Sequence, residues 1–310
     1  MNKMLLPGTD LLASNVIAGM MRIDSLTDEQ IRALHRSALE AGINFIDHAD
    51  IYGGSHTCER RWAEAIKPTA AERSELIIQT KAGIVPADSM YDFSTKHLIE
   101  AAEESLRCLT TDYLDVLLLH RPDALMEPEE VAAAFDQLHT QGKVRHFGVS
   151  NHTPLQIELL KRAVTQPLVI NQLQLSIAHA PLVAEGLATN MQNLPQSIDR
   201  GAGILDYCRV NDITIQAWSP FQKGFIEGAF LGDRAEYPEL NDQIDSLAAK
   251  YGVEPGAIPV AWITRHPAAM QVVLGTTNPA HLASAALGSA LPLSRAEWYG
   301  LFRAAGYMVP

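Results

Sequence analysis

Four residues stand out for what their side chains can do in company: Asp47, Tyr52, Lys81 and His120. A phenol is a poor acid near neutrality, its reference pKa being about 10, unless something stabilises the phenolate. A nearby ammonium does so, and a carboxylate paired with that ammonium keeps it charged and in place. An imidazole can then hydrogen-bond a carbonyl oxygen and orient it. Such a set protonates a carbonyl oxygen while a separate donor delivers hydride to the carbon. Singly, each has a plainer reading. His120 alone reads as a satisfied buried histidine, Lys81 as a solvated charge, and Asp47 with Tyr52 as parts of an Asp-rich turn before the Gly53-Gly54 bend.

What makes them a set is that each follows an apolar run. Ile43, Phe45 and Ile46 lead into Asp47, His48, Asp50 and Tyr52; Leu76–Gln79 leads into Thr80 and Lys81; Val116–Leu119 leads into His120, Arg121, Pro122 and Asp123. Five more runs have the same form. Val16–Gly19 precedes Met20, Met21 and Arg22, and His146–Val149 precedes Ser150 and Asn151. Leu168–Leu173 carries Asn171 and Gln172, Ile213–Ala217 precedes Trp218, Ser219 and Pro220, and Val272–Leu274 precedes Gly275, Thr276 and Thr277.

Between the runs lie helices. Thr27 with Gln30 forms a capping box for apolar positions Ile31, Leu34 and Ala38. Thr57 to Ile66 reads as a helix ended by Pro68, and Ser94 or Thr95 opens the next. Further helices start at Pro128 and Thr153-Pro154 and cover Ile204–Val210, Ile244–Tyr251, Ile258–Thr264 and Ser294–Ala305. The polar stretch 178–200 interrupts this rhythm and reads as a surface insertion near the mouth or the outer ring. Eight apolar strands alternating with helices predict an α/β fold, a single-domain (β/α)8 TIM barrel over residues 1–310. Polar strand tips then share the C-terminal mouth, and neighbouring strands about 4.8 Å apart let tips two, three and four converge. No GxGxxG turn follows the first strand, which argues against a doubly wound sheet.

A net charge of -12 and a pI near 5.3 argue against nucleic acid or an anionic membrane as the main partner. No signal-like or membrane-length apolar run is present, so a soluble cytoplasmic protein is expected, with self-association left open. Cys58, Cys108 and Cys208 are odd in number, far apart and read as reduced packing residues. A metal-dependent barrel enzyme is disfavoured because the tips offer a Tyr-Lys pair in place of clustered His and carboxylate ligands.

The segments NFIDHADIYGG, IIQTKAG, DYLDVLLLHRPD, GKVRHFGVSNHTP, INQLQLS, IQAWSP and VLGTTNP, in order and spacing, resemble the aldo-keto reductase family over nearly the whole chain. The likeness is greatest to a bacterial branch of oxidoreductases in that family. It implies a barrel that binds NADP(H) without a Rossmann fold and reduces aldehydes or ketones to alcohols. Tyr52 is then the proton donor, Lys81 and Asp47 its tuners, and His120 the group that orients the carbonyl. The resemblance also implies that Ser150, Asn151 and Gln172 bind the nicotinamide amide and that Trp218 stacks on the ring. Ser219, Pro220, Lys223 and Gly224 follow the pyrophosphate, and Gly275, Thr276, Thr277 and His281 line the adenosine phosphate region. Met21 is counted with Asp47 among the cofactor contacts, and it joins Arg22, Tyr91 and the 178–200 stretch as a candidate for the pocket rim.

Many family members carry a lysine where Gly275 stands, an arginine where His281 stands and a Glu-Asn pair at Ser284-Ala285. Those groups are missing here, so NADP is expected with NAD possible. A nicotinamide-nucleotide-binding regulatory or sensor protein with little turnover is the alternative, as in the family's channel-associated subunits. Arg121 and Asp123 read as a loop pair fixing the turn beyond His120, with a substrate role as the alternative, and His35, His139 and His152 as surface or helix residues.

Overall fold

A strand whose side chains are apolar on both faces needs two surfaces to bury against, and a closed barrel wrapped in helices supplies both. The computed structural model, which describes residues 1–310, has that form. Eight parallel strands close on themselves: β1 (Val16–Gly19), β2 (Phe45–Asp47), β3 (Ile77–Ala82), β4 (Leu114–Leu119), β5 (Val144–Ser150), β6 (Leu168–Gln174), β7 (Thr214–Trp218) and β8 (Gln271–Leu274). Closure is made by β8 against β1, with Val272 opposite Val16 and Leu274 opposite Ala18.

Successive residues alternate between the two surfaces, except at Val169 and Ile170, beside a register shift in β6. Ile17, Phe45, Ile77, Val116, Leu118, Val169, Ile170 and Val273 fill the lower barrel, where Leu6 and Leu11 seal it from below. Those two belong to an N-terminal hairpin of Lys3–Leu5 and Leu12–Ser14, which the sequence reading did not contain. The intervening residues, among them Val16, Ile46, Ile78, Leu117 and Phe147, face the helices and join the larger core. Each such side chain contributes about 1.5–3 kcal/mol on burial.

The expected helices form, with capping at both Thr27/Gln30 and Ser294/Glu297. One begins at Pro238 instead of Ile244, because proline at the first helical position sets φ and loses no hydrogen bond. Ala70–Ser74, Pro181–Leu187 and Pro279–Ala286 are helices that were not expected. The 178–200 stretch contains one of them and a 3-10 turn at Pro195–Ser197. It belongs to the outer ring, where the C-terminal tail ties it down: the Tyr307 hydroxyl bonds the backbone at Ala178 and Ala180, and Gln196 exchanges hydrogen bonds with Met308. No helix is long and apolar enough to cross a membrane. All three cysteines are free and buried.

Candidate active site

Alternation along a strand carries the chain from core to chemistry. On β3, Ile77 joins the lower core, Gln79 lies in the middle of the barrel, and Lys81 reaches the mouth. Lys81 is still a ladder residue, paired with Leu118 of β4, and Asp47 is likewise the last residue of β2. Both were expected just beyond their strands. Their backbones are pinned by the sheet, which holds the side chains more firmly than a loop would.

The Lys81 side chain is fully buried and surrounded by oxygen. Its Nζ donates to Asp47 Oδ2 at 2.7 Å and Oδ1 at 2.8 Å, to the His48 carbonyl at 2.7 Å and to the Tyr52 hydroxyl at 3.1 Å. Burial alone would push the Lys81 ammonium down, but the Asp47 carboxylate and Tyr52 together outweigh it and hold the pKa above its usual value. Tyr52 comes from the turn after β2, where Gly53 and Gly54 both have positive φ. A Cβ on Gly53 would lie 2.8 Å from Asp24 Cβ, so this turn demands glycine.

His120 follows β4 and anchors its N–H on the Ala82 carbonyl. Its ring meets the Tyr52 ring edge-on, with centroids 6.0 Å apart. Burial, helped by the charges of Lys81 and Arg121, holds it well below the ordinary histidine range. It is therefore neutral, with one ring N–H to give. For Tyr52, burial pushes the phenol up and Lys81 reverses this only in part, leaving it above its ordinary value. The four groups picked out in the sequence thus meet at one rim, with the phenol held in its protonated form.

At the tips of β5, β6 and β7 a second group assembles. Ser150 Oγ donates to the Gln172 carbonyl at 2.9 Å, Asn151 Nδ2 donates to Ser150 Oγ at 2.8 Å, and Trp218 Nε1 donates to Asn151 Oδ1 at 3.1 Å. Both N–H groups of Gln172 are spent, on Asp47 and on Gln216, so its Oε1 is what it has left to offer. The second N–H of Asn151 is held only weakly, by the His120 carbonyl at 3.5 Å. One free acceptor beside one available donor is the complement of a primary carboxamide. Trp218 is partly exposed beside them, its indole fixed by Asn151 and its edge covered by Phe225.

The remaining expected contacts occupy the rim from β7 to β8. Ser219 has φ of 54°, Pro220 is buried, and Gly275, Thr276 and Thr277 follow β8 directly. Gly275 accepts from Arg22 Nη1 at 3.1 Å, and Met21 is exposed nearby. His281 lies in the first turn of Pro279–Ala286, where the Asn278 side chain accepts from the N–H groups of Ala280 and His281. Lys223, one residue before the buried Gly224, is held by Asp233 and Glu236, each at 2.9 Å, so its charge is already matched.

Other expectations are corrected. Asp123 spends both oxygens on the backbone N–H groups of Phe93 and Leu125, and Arg121 lies instead over the Trp218 ring, 5.7 Å from its centroid. His152 is neither at the surface nor in a helix but buried, stacked on Phe93, whereas His35 is the helix residue expected, on the buried face of Asp28–Glu40 and edge-on to Trp62. Behind Lys81 the structure also gathers groups that sequence reasoning passed over. The buried Glu59 bonds His56 Nδ1 at 2.6 Å and takes the Thr80 hydroxyl, while Asp50, pushed up to about 7 by burial, lies beside them. Glu59 follows Tyr52 by seven residues on a helix face otherwise lined by Cys58, Trp62 and Ala63, and that placement was its one sequence signal.

The chain also resembles known proteins over nearly its whole length. The Aldo/keto reductase family profile matches residues 15–301. The chain is 33% identical to the uncharacterized oxidoreductase YcsN of Bacillus subtilis, over 97% of each sequence. It is 34% identical to the 6-dehydroglucose reductase of Agrobacterium fabrum, over 93% of each. Among solved structures, the thermostable aldo-keto reductase Tm1743 superposes with a TM-score of 0.77 at 23% identity, covering 98% of this chain and all of that one, which supports the fold.

Proposed function

Because the chain belongs to the Aldo/keto reductase family, we propose that it is an NADP(H)-dependent oxidoreductase that reduces aldehydes or ketones to alcohols. The observation that carries this reading is the single ammonium, Lys81 Nζ, bonded at once to the Asp47 carboxylate and the Tyr52 hydroxyl. Bound NADPH would supply hydride to the carbonyl carbon. Tyr52 gives its proton to the carbonyl oxygen as charge develops there, and the Lys81 ammonium stabilises the phenolate left behind. Asp47 keeps Lys81 aimed, and the neutral His120 donates an N–H that fixes the carbonyl oxygen against the phenol.

The other tips fit the cofactor's parts. Gln172 Oε1 and the Asn151 amide suit the nicotinamide carboxamide, with Ser150 holding Asn151 in place, and the Trp218 face suits the ring. Ser219, Pro220 and Gly224 take the pyrophosphate; Gly275, Thr276, Thr277 and His281 take the adenosine end, with Met21 at the rim. Lys223 adds charge there only by leaving Asp233 and Glu236. With so few free cations at that end, NADPH is expected to bind more tightly than NADH by a modest margin.

The test is consumption of reduced nicotinamide over a panel of small aldehydes, ketones and quinones, including sugar-derived aldehydes because one relative is named a 6-dehydroglucose reductase. Turnover with NADPH supports the proposal. Tight NADPH binding with no turnover anywhere in the panel would favour a nicotinamide-binding regulatory protein. Titration of both cofactors against tryptophan fluorescence checks the preference, and tighter NADH binding would overturn it.

A further inference from the structure

The interior of a (β/α)8 barrel is ordinarily packed with branched aliphatic side chains. Here the middle of the barrel holds four glutamines, on β3, β6, β7 and β8, each at most 3% exposed. They form one continuous hydrogen-bonded column. Gln271 Nε2 donates to the Ser14 carbonyl at the barrel floor at 2.8 Å, and Gln216 Nε2 donates to Gln271 Oε1 at 3.1 Å. Gln79 Nε2 and Gln172 Nε2 both donate to Gln216 Oε1 at 2.9 Å. Each of these two amides spends its other N–H on Asp47 Oδ1, at 2.6 Å from Gln79 and 3.1 Å from Gln172.

The column has one orientation. A carboxylate at the top and a backbone carbonyl at the bottom both only accept, so every amide between them must point as it does. Asp47 Oδ1 therefore receives two N–H groups from below while Lys81 Nζ approaches from above at 2.8 Å. The cost is visible: Gln79 Oε1 is buried with no partner. A buried acceptor left unsatisfied costs about 1–3 kcal/mol. An apolar residue at 79 would avoid that cost, so its presence calls for a compensating role.

We propose that Gln79 and Gln216 are positioning residues that act through Asp47, fixing its carboxylate from below and drawing part of its negative charge away from Lys81. This rests on the reading of Tyr52 as the acid given above. The groups facing the Tyr52 hydroxyl are the Lys81 ammonium, the Asp47 and Asp50 carboxyls and the neutral His120 ring. Asp47 opposes what Lys81 does for the phenolate. The more Asp47 is satisfied from the column, the less it cancels the ammonium. Gln79 holds Asp47 directly, and Gln216 holds both amides that do.

The test replaces the column with the side chains a barrel interior ordinarily has. The triple variant Gln79→Leu, Gln216→Leu, Gln271→Leu removes both partners of the Gln79–Gln216 and Gln216–Gln271 bonds, each of which a single substitution would leave with one partner buried and unpaired. Gln79→Leu alone is the second variant, should the triple not fold. Two readouts apply to each folded protein: the pH profile of kcat and KM for oxidation of the alcohol formed from its best aldehyde, and the ultraviolet titration of Tyr52, taken as the difference between each protein and its own Tyr52→Phe form. The Tyr52 titration and the rising limb of kcat are expected to move to higher pH by about half a unit or more, a threefold or larger change at fixed pH, with KM for the alcohol little affected. Titrations and profiles that superimpose on the parent's would overturn the inference. A parent with no turnover would count against the proposed function, while the Tyr52 titration would still decide the role of the column.

Discussion

The hydroxyl of Tyr52 lies 3.1 Å from the ammonium of Lys81, and that ammonium is itself tied to Asp47 at 2.7 Å. Burial nonetheless leaves the phenol above its ordinary pKa. Without a ligand the phenol therefore keeps its proton, as the proposed role of Tyr52 as the acid in carbonyl reduction requires. On that proposal Lys81 acts chiefly when the phenolate forms.

This arrangement predicts the pH dependence of the reaction. A donor whose pKa lies above 10 is protonated throughout the neutral range, and His120, held well below 6.5, stays neutral there. Ionisation of Asp50 near 7 adds a negative charge that favours the protonated phenol further. The kcat for reduction should thus stay flat between about pH 6 and 9 and fall only above about 10, whereas alcohol oxidation should rise with pH. Steady-state profiles in both directions check this, and a reduction rate that halves by pH 8 would speak against it.

Stability should respond to pH through buried groups of opposite sign. Burial holds His35, His48, His152 and His266 down to about 4, below the 6.5 of an unfolded chain. The unfolded state takes up protons first, so stability is lost as pH falls from 6.5 toward 4. Asp50 runs the other way. Its folded pKa of about 7 exceeds the unfolded 3.8, so stability is lost as pH rises through that window, by at most about 4 kcal/mol. Relative to the parent, Asp50→Asn should gain thermal stability from pH 4.5 to about 7 and level off above it. Parallel curves of Tm against pH for the two proteins would show that Asp50 does not titrate in this way.

Toward the opposite end of the barrel, the buried Arg73 guanidinium pairs with Asp115 at 2.8 Å. It also donates to the carbonyls of Leu76 and Tyr113 and to the Thr111 hydroxyl. Asp115 in turn accepts from the Ile78 N–H on the neighbouring strand. Asp115→Asn leaves a buried cation without its counter-charge and should destabilise the protein by on the order of 3 kcal/mol, read from urea unfolding midpoints. Arg145, which reaches the same carboxylate from a half-exposed position, should tolerate replacement at well under 1 kcal/mol.

The strands were legible because each is an apolar run flanked by amphipathic helices, and their tips because polarity changes abruptly there. Boundaries were less so. Lys81 reads as a strand exit by polarity, yet its hydrogen-bonded register with Leu118 continues. The hairpin of Lys3–Leu5 and Leu12–Ser14 has three-residue strands with Leu5 and Leu12 exposed, so no alternation marks it. The helix at Pro279–Ala286 buries only Leu282, Ala285 and Ala286, a stripe of one leucine and two alanines that gives little periodic contrast. The four residues proposed as catalytic could be grouped because three adjacent strands bear them. The glutamine column could not: Gln172, Gln216 and Gln271 stand in register on β6, β7 and β8, but Gln79 reaches them only across the closed barrel, and an uncharged amide inside a strand does not stand out. His152 was misplaced for a related reason: the Phe93 ring that buries it comes from a distant part of the chain.

The most direct measurement is the turnover of Tyr52→Phe, made alongside its affinity for NADPH. Removing one hydroxyl leaves the ring, its contact with His120 and the Asp47–Lys81 pair in place. With Tyr52 as the acid, kcat for a good aldehyde should fall about a hundredfold or more while NADPH binding changes by less than about threefold. A Tyr52→Phe protein that reduces the same aldehyde as fast as the parent would show that the proton comes from elsewhere.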